Sequence, residues 1–306
     1  MLKYITKRII AAVITIFFIA TLTFFLMHAV PGGPFLGEKT PSPQVLKALN
    51  AKYGLDKPLI VQYRNYMFNL AKLDLGPSIS RRSQTVNEIV AEKFPTSAKL
   101  GVVAIAIALL FGIPMGTLAA LKRGQWHDRL IMVIATLGIA VPGFVVATIL
   151  LIVFGVKLHW LPTRGLDSPA NYIMPAFALS FLPMSFITRL MRSSMLDVLN
   201  QDYIRTAYSK GLSRFAVIFK HALRNSILPV VTYLGPLAAG ILTGGFVVEN
   251  LFTIPGLGKF FIQSITARDY SLIMGVTIFL ASLVILMNLL VDLAYVVIDP
   301  RIKLDK

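Results

Sequence analysis

The side chains that could do chemistry are few and scattered. The sequence has no cysteine, which closes off disulfides, thiol nucleophiles and thiolate-bound metals. Its four histidines, His28, His127, His159 and His221, fall on four separate segments. Two lie near one boundary of the apolar runs and two near the other, so a shared metal site is not expected. Gly256-Leu257-Gly258-Lys259 resembles part of a phosphate loop, but Phe260 stands where a Ser or Thr must bind magnesium, and the spacing is wrong. Neither a zinc-protease helix motif nor a serine nucleophile elbow occurs. Asp292 is the main acid inside an apolar run. Asn288, one turn earlier, shares its helical face, and a packing pair or a functional pair are both open readings. The expectation is a chain with no catalytic residue, no metal and no cofactor of its own.

The patterned polar residues lie instead between two apolar runs. Arg205, Thr206, Ala207, Lys210, Gly211 and Leu212 are followed by His221 and Arg224. Gly211 suits the left-handed position that ends a helix, with Lys210 favourably placed at the negative end of its dipole. Ser213 can cap a second helix carrying Phe215, Ile218, Phe219 and Ala222 along one side. The segment from about 191 to 225 is therefore expected to form a helix–glycine–helix elbow. It is long for a connector between helices, where roughly 2–8 residues are usual. It reads either as a connector or as a ridge shaped to lodge in a partner's groove.

The elements that hold this elbow follow from composition. Of the 306 residues 56% are hydrophobic and 14% charged, against about 45–50% and about 25% in soluble domains. The mean hydropathy is +0.73. The apolar excess lies in runs near 9–30, 100–121, 130–156, 172–190, 227–248 and 272–298, each long enough to span a bilayer as a helix. The fold class is an all-α integral membrane protein of about six transmembrane helices. The first run exceeds a signal peptide's apolar core and no small-x-small cleavage site follows it, so it is expected to stay uncleaved. The net charge of +16 sits largely in segments that alternate to one side, which places both termini and the elbow in the cytoplasm. No basic run is interleaved with aromatic residues on a soluble segment, so the partner is the lipid bilayer and not nucleic acid.

Three regions are expected. Residues 1–30 hold a cytoplasmic N-terminus and the first span. Residues 31–96 form a small helical extracytoplasmic domain, and residues 97–306 form a core of five further helices. In the middle region, Ser42-Pro43 should open a helix that stops near Gly54, and a second follows Pro58. Thr85-Val86-Asn87-Glu88 has capping-box spacing and should open a third, ending before Pro95. The Gly and Pro residues within the spans, such as Gly138, Pro142, Pro183 and Pro236, either pack helices closely or line a path. Ser185, Thr188 and Arg189 beside Pro183, and Asn250, are the candidates for a translocation path.

Here the sequence resembles a family. Arg205-Thr206-Ala207-x-x-x-Gly211, then His221-Ala222-Leu223-Arg224-Asn225 and Leu228-Pro229, is similar to the coupling loop of type I ABC importer permeases, in their oligopeptide/dipeptide/nickel branch. Arg205 and Thr206 replace the wider family's Glu-Ala, His221 stands at its isoleucine and Arg224 at its proline, as is usual in the peptide branch. Pro31-Gly32-Gly33-Pro34, Leu75-Gly76-Pro77-Ser78, Pro255-Gly256-Leu257-Gly258, Arg268-Asp269-Tyr270-Ser271 and Ile298-Asp299-Pro300-Arg301 extend the likeness along the chain. The resemblance implies a permease subunit in a bacterial or archaeal cytoplasmic membrane. It would pair with a homologous C-type permease, two cytosolic ABC ATPases that bind ATP and Mg, and an extracytoplasmic peptide-binding protein. Gly211 would make the turn, Ala207 the close approach, and Arg205, Lys210, Arg224 and His221 the contacts to an ATPase. Residues 31–96 either receive the binding protein or cap the bundle. Nickel or glutathione import, and a self-contained secondary transporter, are the alternatives.

Overall fold

The structure, a computed structural model, describes residues 2–30, 33–35, 42–81 and 83–298. The side chain of Asp292, and so its expected pairing with Asn288, lies outside the described residues, as do Pro31-Gly32 and residues 299–306. Among the described residues the regular structure is helical, with one isolated antiparallel bridge between Pro77 and Thr85. Among the described residues five helices are long and apolar enough to cross a membrane, or six where the bent pair is counted as one span. The described chain gathers into two compact units. One holds the residues up to Ser97 with Pro255–Leu289, and the other holds Ala98–Ile254 with Leu290–Ile298.

The first unit contains α1 (Leu2–Ala29), α2 (Pro43–Tyr53), α3 (Leu59–Ala71) and the start of α4 (Val86–Leu121). It also holds α13 (Leu257–Thr266) and most of α14 (Tyr270–Ile298). Its helix ends are set by local chemistry. Ser42 Oγ accepts from the Val45 N–H, and Pro43 needs no donor in the first turn. Gly54 closes α2 at φ +68°, with its own N–H on Ala51 and that of Leu55 on Asn50. Thr85 and Glu88 exchange side-chain and backbone bonds at 2.8 and 3.2 Å, the reciprocal pair that their spacing suggests. The core packs Phe24, Ile79, Tyr270 and Met274 together, with Tyr63 and Tyr66 against them. The Tyr66 hydroxyl is enclosed without a hydrogen-bond partner among the described residues, and burial pushes its ionisation above the ordinary tyrosine range.

One expectation fails here. The helix opened by Thr85 does not end before Pro95 but continues unbroken for 36 residues. An interior proline costs roughly 3 kcal/mol in lost bonding and steric clash. Packing on both sides outweighs it, because Val86, Ile89 and Val90 before the proline and Leu100, Ala104 and Ala108 after it are all buried.

The second unit is built around α7 (Pro169–Leu199). Its other spans are the remainder of α4, then α5 (Trp126–Ala140) with α6 (Gly143–Leu150), and α11 (Leu228–Gly244) with α12 (Phe246–Leu251). Pro142 separates α5 from α6, the two turn by 104°, and α6 runs on as a wider turn over Leu151–Lys157. Three glycines set how closely α7 is gripped. A Cβ on Gly116 would lie 2.5 Å from the Thr188 carbonyl oxygen, and one on Gly112 would lie 2.8 Å from the Ile187 side chain. A Cβ on Gly138 of α5 would overlap the Ser185 hydroxyl. Gly112 and Gly116 are four residues apart on one face of α4, the small-x-x-x-small arrangement that lets membrane helices approach backbone to backbone.

Candidate functional site

The elbow between α7 and α11 is assembled from local signals. α8 (Asp202–Ser209) is a short amphipathic helix that turns Ile204 and Ala207 inward. It ends as the sequence suggests. Gly211 adopts φ +77°, its N–H reaches the Tyr208 carbonyl at 2.9 Å, and the Leu212 N–H reaches Ala207 at 3.3 Å. Those two bonds are a Schellman closure, and the positive φ is what calls for glycine. A Cβ on Gly211 would meet nothing within 4 Å, so within this chain backbone conformation sets the requirement. Ser213 Oγ then accepts from the Ala216 N–H at 3.3 Å and starts the return arm.

The return arm departs from the simple amphipathic helix expected. It begins as α9 (Arg214–Ala216), widens to a π-helical stretch over Val217–Ala222, and returns to α10 (Leu223–Ser226). The widened turn changes which residues share a face. Val217, Ile218 and Ala222 are buried, whereas Phe215 is 70% and Phe219 52% exposed. The two phenylalanines lie together outside, their ring centroids 4.3 Å apart. Asn225 Nδ2 donates to the Tyr203 hydroxyl at 2.9 Å and ties the two arms. Ser226 Oγ lies 3.3 Å from Met195 Sδ of α7, so the elbow is seated on the end of that helix.

The residues singled out at the elbow fall into two groups. Arg205, Thr206, Lys210, Gly211, Leu212 and Arg224 are exposed, and His221 is half-buried. Arg205 lies 3.7 Å from Asp202, but both are so open to solvent that the pair adds little stability. Ala207 is only 6% exposed and packs with Met191, Met195, Ile204, Val217 and Ile218 in one cluster. Its small side chain therefore serves the close approach of the elbow to its own helix. The surface left outside is basic and aromatic.

The path candidates also divide. Ser185 and Thr188 are enclosed by this chain's own helices, with their hydroxyls on the carbonyls of Phe181 and Met184. Arg189 is exposed and reaches the Thr136 hydroxyl at 2.8 Å, and Asn250 is exposed. The glycine contacts of α4 and α5 are what enclose the first two.

Two polar arrangements escaped the sequence reading. Asp128, buried in the first turn of α5, is held bidentately by Arg192 of α7 at 2.6 and 2.8 Å, with the Gly124 N–H on the same carboxylate. The available signal was an acid in the first turn of one span and an arginine near the end of another. In the first unit, buried Asp269 accepts from the Ser78 hydroxyl and from both the N–H and hydroxyl of Ser80. It also caps α14 through the Leu272 N–H. The Leu257 N–H donates to Ser97 Oγ at 2.9 Å. Leu75–Ser78, Pro255–Gly258 and Arg268–Ser271 thus include buried anchoring positions of the first unit.

The second unit is a bundle of spans packed on α7, one of them bent, with the elbow seated on the end of that helix. A chain of the MetNI methionine ABC transporter, solved in inward-facing conformations, shares the fold with a TM-score of 0.56. That likeness is at 16% identity and covers 69% of this chain and 96% of that one. The sequence pattern described as "Binding-protein-dependent transport system inner membrane component" matches residues 112–304, and that of the N-terminal part of such components matches residues 1–101. The chain belongs to this family and is a multi-pass membrane protein. It is 49% identical over 306 residues to the dipeptide transport system permease protein DppB of Bacillus subtilis, spanning 100% of this chain and 99% of that one. It is 45% identical over 305 residues to the oligopeptide transport system permease protein OppB of Haemophilus influenzae, spanning 99% and 100%.

Proposed function

We propose that this chain is a permease subunit of an ATP-driven importer of dipeptides or oligopeptides. Its whole-length likeness to permeases named for those substrates carries the reading. In this reading it forms half of a pore with a homologous C-type permease in a bacterial or archaeal cytoplasmic membrane, with both termini inside. Two cytosolic ATPases hold ATP and Mg, and this chain holds no cofactor. An extracytoplasmic binding protein delivers the peptide, and residues 31–96 help receive it.

The elbow supplies the mechanical link. Its exposed face, with Arg205, Lys210, Leu212, Arg224 and the Phe215–Phe219 pair, lodges in a groove of one ATPase. Its buried face is continuous with the end of α7. ATP closes the ATPase pair because it binds the closed state more tightly, which is the only way a ligand shifts such an equilibrium. The elbow then moves with the ATPase and carries α7 along. Arg189 and Asn250, exposed on this chain, face the path between the permeases.

The test is to purify the protein from its native membrane in mild detergent and identify what accompanies it by mass. Recovery of a second permease and two ATPases with Walker motifs, together with ATP-dependent peptide uptake after reconstitution, is the expected result. Recovery as a lone chain or homodimer, under conditions that keep a known complex of this kind intact, would refute it. Uptake of nickel or glutathione in place of peptides would move the substrate and leave the subunit role standing.

A further inference from the structure

One helix bend and two prolines inside unbroken helices converge on one groove of the second unit. It has a volume of about 400 Å³, within the roughly 300–1,000 Å³ range of ligand pockets. Its walls are mostly apolar and include Phe144, Leu179, Leu182, Tyr233, Ile241 and Val248. Gly143 lies at the bend after Pro142, Pro183 lies within α7 and Pro236 within α11, and all three line the groove. Gly240 lies opposite open space, since a Cβ there would meet nothing within 4 Å.

The prolines decide what kind of molecule suits this groove. Proline has no N–H, so the carbonyl of Leu179, four residues before Pro183 and itself a groove residue, has lost its ordinary helical donor. In an apolar setting such an acceptor is costly to leave unmet. An acyl chain could fill the volume but carries no donor. A neighbouring membrane helix spends its N–H groups within its own ladder. An extended peptide segment brings unspent main-chain N–H groups and, beside them, a side chain for the apolar wall. The Tyr233 hydroxyl adds one group able to donate to a peptide carbonyl.

We propose that this groove is a peptide subsite, taking one bulky apolar side chain of a short extended peptide in transit, with the backbone beside it donating to the α7 wall. The proposal rests on the peptide-importer reading and adds a place on this chain where side-chain identity is sensed.

The test uses the complete reconstituted transporter and two peptides, trialanine and triphenylalanine, each at a concentration that saturates the binding protein. Gly240→Leu extends into the groove from a position where an added Cβ meets nothing within 4 Å. It is expected to lower triphenylalanine uptake by about tenfold or more, as occlusion of an apolar pocket does, while trialanine uptake stays within about twofold. Equal loss of both peptides, or loss of neither, would overturn the proposal. A second measurement needs no variant. A tripeptide with a central benzoylphenylalanine, irradiated during turnover of the wild-type complex, should label this chain between Gly143 and Val248 at groove residues. Labelling confined to other surfaces would overturn the proposal as well. A wild-type complex that takes up neither peptide would refute the peptide reading itself and the subsite with it, a result separable from loss of discrimination in the variant.

Discussion

Gly211 offers a clean separation of backbone from contact. The residue lies at φ +77°, and a Cβ would meet nothing within 4 Å. Within this chain a substitution therefore costs chiefly what the left-handed conformation costs. For alanine that is about 1–2 kcal/mol, less for asparagine, and more for a β-branched residue. A cost of that size changes the ratio of closed to open cap by about 5–30-fold. The cap's two bonds, at 2.9 and 3.3 Å, contribute about 1 kcal/mol each and cannot hold the turn against valine. The variants Gly211→Asn, Gly211→Ala and Gly211→Val should thus show progressively less peptide uptake per ATP hydrolysed, with membrane insertion unchanged. The assay is uptake and phosphate release in proteoliposomes of the assembled complex, scaled to the amount of this chain inserted. Wild-type uptake per ATP in Gly211→Val would refute the argument. Asparagine as damaging as valine would refute it differently, by showing that size against a partner, and not backbone strain, sets the requirement.

Other outcomes follow from the buried polar and glycine contacts. Asp128→Asn leaves Arg192 without its bidentate acceptor and should lower stability by about 3 kcal/mol, read as an earlier thermal transition in detergent. A transition within 1–2 degrees of wild type would show the pair to be dispensable. Asp269→Ala removes the acceptor for Ser78 and Ser80 together. Limited proteolysis should then cut the 72–85 segment faster than in the wild type, and an unchanged rate would refute that anchoring role. Gly116→Leu forces α4 from α7, because even a Cβ would lie 2.5 Å from the Thr188 carbonyl. It should block accumulation of folded protein, whereas Gly124→Leu in the exposed connector, where a Cβ has open space but φ is +78°, should cost only the backbone penalty of about 1–2 kcal/mol. Equal accumulation of the two variants would count against the close seam.

What was legible in the sequence was chemistry confined to a few neighbouring residues. Ser42, Gly54, the Thr85–Glu88 pair, Gly211 and Ser213 all cap or close helices by bonds that reach three to five residues. Such bonds depend little on the remainder of the fold. The spans were legible because each is a long apolar run. Pro95 was misleading, since a local rule that ends helices was outweighed by burial on both sides. The return arm misled for a related reason: the pattern Phe215, Ile218, Phe219, Ala222 is amphipathic only at 3.6 residues per turn. The wider turn over 217–222 parts the phenylalanines from the buried face. The Asp128–Arg192 and Asp269–Ser78 bonds join residues 64 and 191 positions apart, and no local pattern carries that information. At the elbow, residue types left a connector and a partner-facing ridge both open, and only packing divides Ala207, turned inward, from Arg205 and Lys210, turned out.

The seating of the elbow on α7 has a consequence in terms of leverage. Met191, Met195, Ile204, Ala207, Val217 and Ala222 share one apolar cluster, so the handle and the shaft are a single stiff piece at their joint. The shaft is 31 residues long, about 46 Å at 1.5 Å per residue. A tilt of about 10° over that length displaces the far end by about 8 Å. A soft joint would absorb such a turn in side-chain rearrangement, and little would arrive. In the proposed coupling, where the joint is packed, a modest rotation imposed on the handle becomes a displacement of roughly a peptide's width at the other end of the helix.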